Sequence, residues 1–234
     1  MEEKKFEKGI NRRRFIKGAA LTTGALAVLG TAGTQKAHSA PLPEKWDMES
    51  DVVVIGYGGA GACAALEAAR AGCSVLLLEK MGMPGGSTTL SGGIVYAAGT
   101  KLQKSVGIND TPEAMYKYLM ACGQGRAVPE LVKLVSDMSS ENIDWLTSMG
   151  AVFTKELLAM SGMENEPEYV KVTPPQKRGH RVRGTGPALF KVLADAVKAE
   201  KNIKVLTRTS GSKLITQSTK AAANLEVVGL EATS

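Results

Sequence analysis

Three glycines, Gly56, Gly58 and Gly61, stand in Gly-x-Gly-x-x-Gly spacing directly after four β-branched residues, Val52-Val53-Val54-Ile55. An Ala-rich run follows, then a second apolar run from Ser74 to Leu78 that ends on Glu79 and Lys80. This order suits the pyrophosphate of a dinucleotide. The first glycine permits the tight turn, the second lets the main chain approach the phosphates, and the third lets helix and strand pack closely. Amide hydrogens at the helix start face the negative charge. Glu79 lies 23 positions after Gly56, where an acid accepts hydrogen bonds from ribose hydroxyls. A βαβ unit whose glycines serve packing alone is the competing reading, and the completeness of strand, turn, helix, strand and acid argues against it.

A second cluster follows at once: Met81-Gly82-Met83-Pro84-Gly85-Gly86-Ser87-Thr88-Thr89-Leu90-Ser91-Gly92-Gly93. Two Gly-Gly pairs are costly in a strand or a helix. The expectation is a loop whose backbone and small hydroxyls come close to a large flat or phosphorylated ligand; a plain surface loop is the alternative. Cys63, Cys73 and Cys122 are odd in number, and no Cys-x-x-Cys-His or metal-ligand spacing accompanies them. They read as structural, and no metal is expected.

The elements that must position these residues are legible in part. Thr111-Pro112-Glu113 predicts a helix start, with Thr as N-cap and Pro in the first turn, running to about Cys122. From Pro129 to Met149, Leu131, Leu134, Val135, Met138, Ile143 and Leu146 recur at near-helical spacing and read as core of a helical pair ended by Gly150. The polar stretch 160–186, with three prolines, predicts an irregular excursion. An amphipathic helix is expected over Ala188–Glu200, and three strands over Ile203–Thr209, Lys213–Gln217 and Leu225–Ala232, the first two joined by a Ser210-Gly211 turn.

Residues 1–40 read as a transport address. Asn11-Arg12-Arg13-Arg14-Phe15-Ile16-Lys17 resembles the twin-arginine export signal, with an uncharged stretch from Gly18 to Gly33 and small residues at Ala37–Ala40 for cleavage. The stretch is less apolar than a stable membrane span, although an uncleaved anchor is an alternative. Of 29 basic and 23 acidic residues, this segment holds eight and three, leaving 21 and 20. The overall charge of +6 therefore belongs mainly to the signal. No basic patch with interleaved aromatics remains, so nucleic-acid binding is not expected.

From Asp51 to about Leu230 the chain resembles the N-terminal part of the FAD-dependent fumarate reductase, succinate dehydrogenase and 3-ketosteroid dehydrogenase flavoproteins. The motifs that carry the resemblance are Gly56-Tyr57-Gly58-Gly59-Ala60-Gly61, Glu79-Lys80, and Gly85-Gly86-Ser87-Thr88 with Ser91-Gly92-Gly93. It implies an α/β, Rossmann-like FAD-binding domain over 48–234, a βαβ unit with a β-meander, lacking most of the capping domain and the C-terminal return segment. Gly56, Gly58, Gly59, Ala60 and Gly61 would cradle the pyrophosphate, Glu79 would hold the ribose, and Lys80 would lie beside the adenine. Gly86, Ser87, Thr88, Ser91, Gly92 and Gly93 would approach the pyrophosphate and isoalloxazine. His180 and Arg181 occupy the place of a family His-Arg-Pro-x-Gly-Gly segment, here without its Pro. A flavin or substrate contact and an exposed loop are both open for them.

By the same resemblance, the activity would be reduction or desaturation of a carbon–carbon bond of a small molecule by hydride transfer through flavin N5. Fumarate reductase-like and 3-ketosteroid dehydrogenase-like specificities are the two enzymatic options. Electrons would come from a separate donor, a cytochrome c or a quinol system. The export signal implies the twin-arginine translocase as a partner and the periplasm or cell envelope as the location. The family's catalytic residues lie in the segments the chain lacks, so none is assigned. A non-catalytic or split-subunit FAD-binding remnant that needs a second chain is therefore the alternative from another class. A nicotinamide-dependent dehydrogenase is a third reading, if the loop at 82–93 has no role.

Overall fold

The computed structural model describes residues 42–159, 166–173, 176–218 and 225–234. The export signal expected over 1–40 lies outside them. The described chain divides into two compact units, one comprising residues up to Pro84 with Val197–Ser234, the other Gly85–Ala196. Among the described residues no helix is long and apolar enough to cross a membrane.

In the first unit, β1 (Val52–Ile55), β2 (Val75–Leu78) and β5 (Ile203–Leu206) form a parallel sheet in the order β1-β2-β5. Helix α1 (Gly59–Arg70) makes the crossover from β1 to β2. Its buried residues are Leu66 and four alanines, Ala62, Ala65, Ala68 and Ala69, whose small side chains let the helix lie close to the sheet that carries the buried Val75 and Leu77. Asn202 fastens the end of this crossover, its side-chain amide donating to Ala69 O (2.8 Å) and Cys73 O (2.7 Å). The first of the three closing strands therefore joins the parallel sheet. The other two, β6 (Ser210–Ser218) and β7 (Leu225–Thr233), pair antiparallel. Ser210 and Gly211, expected as a turn, begin β6, where Ser210 pairs with Thr233 and Gly211 with Ala232. Gly229 of β7 is needed for packing: a Cβ there would stand 2.4 Å from the Trp46 ring.

The second unit contains α2 (Gly86–Leu90), β3 (Ile94–Tyr96), α3 (Lys101–Ser105), α4 (Pro112–Cys122), α5 (Pro129–Ser148), α6 (Pro167–Val170), β4 (Gly179–Arg181) and α7 (Thr185–Ala199). Thr111 caps α4 as expected, its hydroxyl accepting from Ala114 N at 3.1 Å. The expected helical pair over 129–149 is one helix of 20 residues. Its buried face is also different. Ser136, Ser139, Ile143 and Leu146 face inward, whereas Leu131, Leu134, Val135 and Met138 are exposed. Ser139 satisfies its polarity on the inward stripe, accepting from Ala98 N (3.1 Å) and donating to Ser136 O (2.9 Å), whereas the Ser136 hydroxyl is buried without a hydrogen-bond partner among the described residues.

Two further expectations are corrected in this unit. The segment 82–93 is not loop throughout, since Gly86–Leu90 close one helical turn. The excursion at 160–186 contains β4, which pairs antiparallel with β3 in the register Ile94↔Arg181, Val95↔His180, Tyr96↔Gly179. Those three residues lack an alternating apolar pattern, and pairing with β3 at long range makes the strand.

Candidate functional site

In the first unit the glycine turn is built as its spacing requires. Gly56 has φ +97°, a conformation that disfavours any residue with a Cβ, while its amide still extends the sheet by donating to Leu78 O at 2.7 Å. Space beside it is open: a Cβ on Gly56 would meet nothing within 4 Å. Gly61 does the opposite work. A Cβ there would lie 1.8 Å from Gly56 O, so the turn and α1 touch through main chain alone. Gly58 is the N-cap, no side chain caps the helix, and its first turn carries no acid. The opening of α1 is thus free of competing negative charge and suits a phosphate.

Glu79 closes this arrangement from the end of β2. Its carboxylate is buried and accepts from Tyr57 N through Oε2 and from Met81 N through Oε1, both at 2.8 Å. The acid therefore holds the residue between the first two glycines of the turn. Each oxygen retains a second lone pair, enough to accept from a ribose hydroxyl as well. Neighbouring backbone bonds brace it: Glu79 N donates to Leu206 O (2.8 Å) and Thr209 N to Glu79 O (2.9 Å). Lys80 is exposed. Cys63, on α1, is half-buried, and burial pushes its thiol pKa up, the Glu67 charge adding to this, so it is a poor nucleophile.

In the second unit the Gly-rich segment is knit by its own hydroxyls. Ser91 Oγ donates to Thr88 O (2.8 Å) and accepts from Gly93 N (3.1 Å). Gly86, Ser87, Ser91 and Gly92 are exposed, Thr88 is half-buried and Gly93 is buried. The turn rests on residues that the sequence did not assign to it. Gly186 N donates to Ser91 O at 3.0 Å and Val182 N to Gly93 O at 2.8 Å. A Cβ on Gly186 would stand 2.3 Å from Thr88 O, and one on Gly93 2.4 Å from the carbonyl carbon of Thr185. Glycine at 93 and 186 is thus required by packing within the unit.

His180 meets neither expectation for it. It is fully buried, so it is not an exposed loop residue, and both ring nitrogens are engaged within the fold. Nδ1 lies 2.8 Å from Arg178 O and Nε2 2.8 Å from Thr100 Oγ1. The carbonyl can only accept, which assigns the proton to Nδ1 and makes the Thr100 hydroxyl the donor to Nε2. Burial lowers the His180 pKa, against the opposing pull of the Arg178 and Val95 backbone and the Asp110 charge. The ring is neutral and structural. Arg181, half-buried on β4, pairs through its backbone with Ile94.

Beneath His180 lies a buried ion pair. Arg178 donates to Asp110 through Nε (2.7 Å) and Nη2 (2.9 Å), and both side chains are fully buried. Gln103 joins them, donating to Asp110 Oδ2 (3.2 Å) and Lys177 O (3.1 Å). The Tyr118 ring lies 5.2 Å from the guanidinium carbon. Burial disfavours the Arg178 charge, but the Asp110 hydrogen bonds and Tyr96 outweigh it and hold the pKa above its usual value. Thr100 and Gln103 form a capping box at the start of α3, a pattern the sequence displays as Thr-x-x-Gln. Nothing local announces the Arg178–Asp110 pair, whose members are 68 residues apart. Among the described residues no group of three or more His, Cys, Asp or Glu side chains is placed to hold a metal.

The parallel sheet, the open space at Gly56 and the buried acid at Glu79 define a dinucleotide-binding α/β protein. The chain belongs to the family described as "FAD binding domain", which matches residues 51–234, and FAD is its cofactor. It is 38% identical over 162 residues to the fumarate reductase (cytochrome) of Shewanella frigidimarina, covering 68% of this chain and 26% of that protein. To the urocanate reductase of Eggerthella lenta it is 33% identical over 192 residues, 82% of this chain and 29% of the relative. Among solved structures, 3-ketosteroid-Δ4-(5α)-dehydrogenase from Rhodococcus jostii RHA1, in complex with 4-androstene-3,17-dione, superposes with a TM-score of 0.74 at 33% identity. That match covers 81% of this chain and 43% of the dehydrogenase. The chain thus spans about a quarter of the length of the curated reductases it matches.

Proposed function

We propose that this chain is the FAD-binding portion of an exported oxidoreductase that reduces or desaturates a carbon–carbon bond of a small molecule. The observation that carries the reading is the Glu79 carboxylate seated on the amide of Tyr57, inside a glycine turn that leaves open space at Gly56. FAD, when bound, supplies the hydride chemistry, and this chain's residues hold and orient it. In this assignment Gly56, Gly58, Gly59, Ala60 and Gly61 receive the pyrophosphate on main-chain amides, Glu79 accepts from the ribose, and Lys80 lies by the adenine. Gly86, Ser87, Thr88, Ser91 and Gly92 present backbone and hydroxyl donors to the same cofactor. Gly93 serves by letting the turn settle on Thr185.

The named relatives act on unsaturated acids or steroids, which supports a C–C redox reaction and leaves fumarate-like and ketosteroid-like substrates as the two arms of an assay. A separate cytochrome c or quinol system is the proposed electron donor, and the relative named as a cytochrome-type fumarate reductase favours the former. Export through the twin-arginine translocase is proposed from Arg12 and Arg13. Replacing both by Lys should hold the protein in the cytoplasm, and unchanged export would sink that part. The central test is the visible spectrum of the purified protein with its cofactor content by native mass spectrometry. No flavin bands, and none on adding FAD, would refute the assignment.

A second reading is that the polypeptide binds FAD but acts only with a further chain alongside. It is favoured by the position of β1 at the rim of its parallel sheet among the described residues, with Val53 and Ile55 exposed at 42% and 56%. Parallel strands are ordinarily covered on both faces. The same mass measurement separates the readings, since a stable partner adds its own mass to the flavoprotein.

A further inference from the structure

Thr185 opens α7 with φ +60°. Left-handed backbone is uncommon for any residue with a side chain, and for a β-branched one it is an outlier that the surroundings must enforce. The enforcing contacts are those under the Gly-rich turn. Thr185 N donates to Val182 O at 2.9 Å, and Gly186 N, the next amide, donates to Ser91 O at 3.0 Å. The Thr185 carbonyl carbon and oxygen lie 2.4 and 2.6 Å from where a Cβ on Gly93 would stand. The backbone at 185 is therefore fixed by the seating of residues 91–93.

Glycine stands on either side of this residue, and Gly184 uses its freedom with φ +88°, yet position 185, which is left-handed as well, carries threonine. Its side chain is exposed, and no described residue hydrogen-bonds its hydroxyl. Within the described residues the hydroxyl carried on this strained backbone therefore has no hydrogen-bonding task. Strain held in this way gathers where a side chain has a task at a site.

We propose that Thr185 contacts the cofactor, its hydroxyl donating a hydrogen bond to an oxygen of FAD held against the Ser87–Gly92 turn. The acceptor is a phosphate oxygen or a ring carbonyl; both present the same lone-pair chemistry. The inference rests on the assignment of that turn to FAD. It explains why the hydroxyl is carried on a strained backbone: only there does the residue sit directly on the turn that would face the ligand.

Three substitutions test it in the purified protein. Thr185→Val keeps the branched shape and removes the hydroxyl, Thr185→Ser keeps the hydroxyl and drops the methyl, and Thr185→Gly removes both together with the strain. Dissociation constants for FAD, flavin absorption bands, and melting temperatures with FAD removed are measured for each. Thr185→Val should weaken FAD about tenfold, the loss of one hydrogen bond, and melt with the parent. Thr185→Ser should bind as the parent does. Thr185→Gly should melt higher and bind more weakly. A shifted flavin band in Thr185→Val assigns the bond to the ring, and an unshifted band with the same loss of affinity assigns it to the diphosphate. Parental FAD affinity in Thr185→Val overturns the inference. Gly86→Leu serves as the control for the underlying assignment. If it abolishes FAD binding while Thr185→Val does not, the inference about Thr185 alone falls; if neither changes FAD affinity, the placement of the cofactor at 86–93 falls with it.

Discussion

Replacing Gly61 by Ala tests the glycine turn through a distance. Alanine serves at the third position of some nucleotide-binding turns, but here its methyl would stand 1.8 Å from Gly56 O, against a floor of 3.0 Å for real Cβ contacts. The obstacle is main chain, so no side chain can swing away. Helix α1 and the turn must separate by about 1.2 Å, the difference of those two distances. Overpacking of this kind costs about 2 kcal/mol, which in a domain of this size lowers the melting temperature by about 4–8 °C. The effect on the cofactor should be larger than that on the fold. Displaced amides lose their aim at the phosphates, and two such bonds at about 1.5 kcal/mol each amount to about a hundredfold in FAD affinity. The assay pairs a thermal melt without flavin with a fluorescence titration of FAD. Gly61→Ala melting within a degree of the parent and binding FAD with parental affinity would refute the close main-chain contact between the turn and α1.

Arg178→Met should destabilise the protein by about 3–5 kcal/mol, because Asp110 would be left buried without its partner; a denaturant midpoint unchanged from the parent would contradict the buried pair. For His180 the sign follows from its lowered pKa: in the unfolded chain the ring takes a proton near 6.5, while the folded protein resists it. Stability is therefore complete above that pH and falls as pH drops from there toward the folded value. Melting curves should show this loss in the parent, and the increment should vanish in His180→Asn; equal pH dependence in both proteins would show the ring to be irrelevant. Glu79→Ala removes the acceptor for Tyr57 N and Met81 N as well as for the ribose. It should cost about 2–3 kcal/mol of stability and weaken FAD at least tenfold, whereas Glu79→Gln, with one acceptor oxygen left, should fall between; a Glu79→Ala protein as stable as the parent would show these two bonds to be of no weight.

The first unit was legible in the sequence because its signals are local. The run of β-branched residues, the glycine spacing and the terminal acid all lie within 30 residues, and the structure reproduces β1 and β2 to within a residue, with the Ala-rich helix α1 between them. Thr111 and Pro112 gave the start of α4 for the same reason. What escaped depends on partners far along the chain. Three residues around His180 make a strand only because β3 lies beside them, and Asp110 and Arg178 lose their solvent only when the unit closes. In α5 the apolar residues themselves misled. Leu131, Leu134, Val135 and Met138 have helical spacing, yet the inward stripe includes two serines, of which Ser139 bonds the Ser136 carbonyl and the Ala98 amide just beyond β3. Periodicity locates a helix; it does not say which of two stripes is inside.

The place of β1 has a consequence for how tightly a cofactor is held. The strand that delivers the glycine turn has a ladder neighbour on one side only among the described residues, and parts of a fold can open locally at less cost than global unfolding. A local opening of this strand would withdraw the turn's amides from the nucleotide proposed to sit on them. Ligand affinity and fraying of this strand are thus one equilibrium, and whatever lies down along its open flank would act as a positive effector of flavin retention while never touching the flavin.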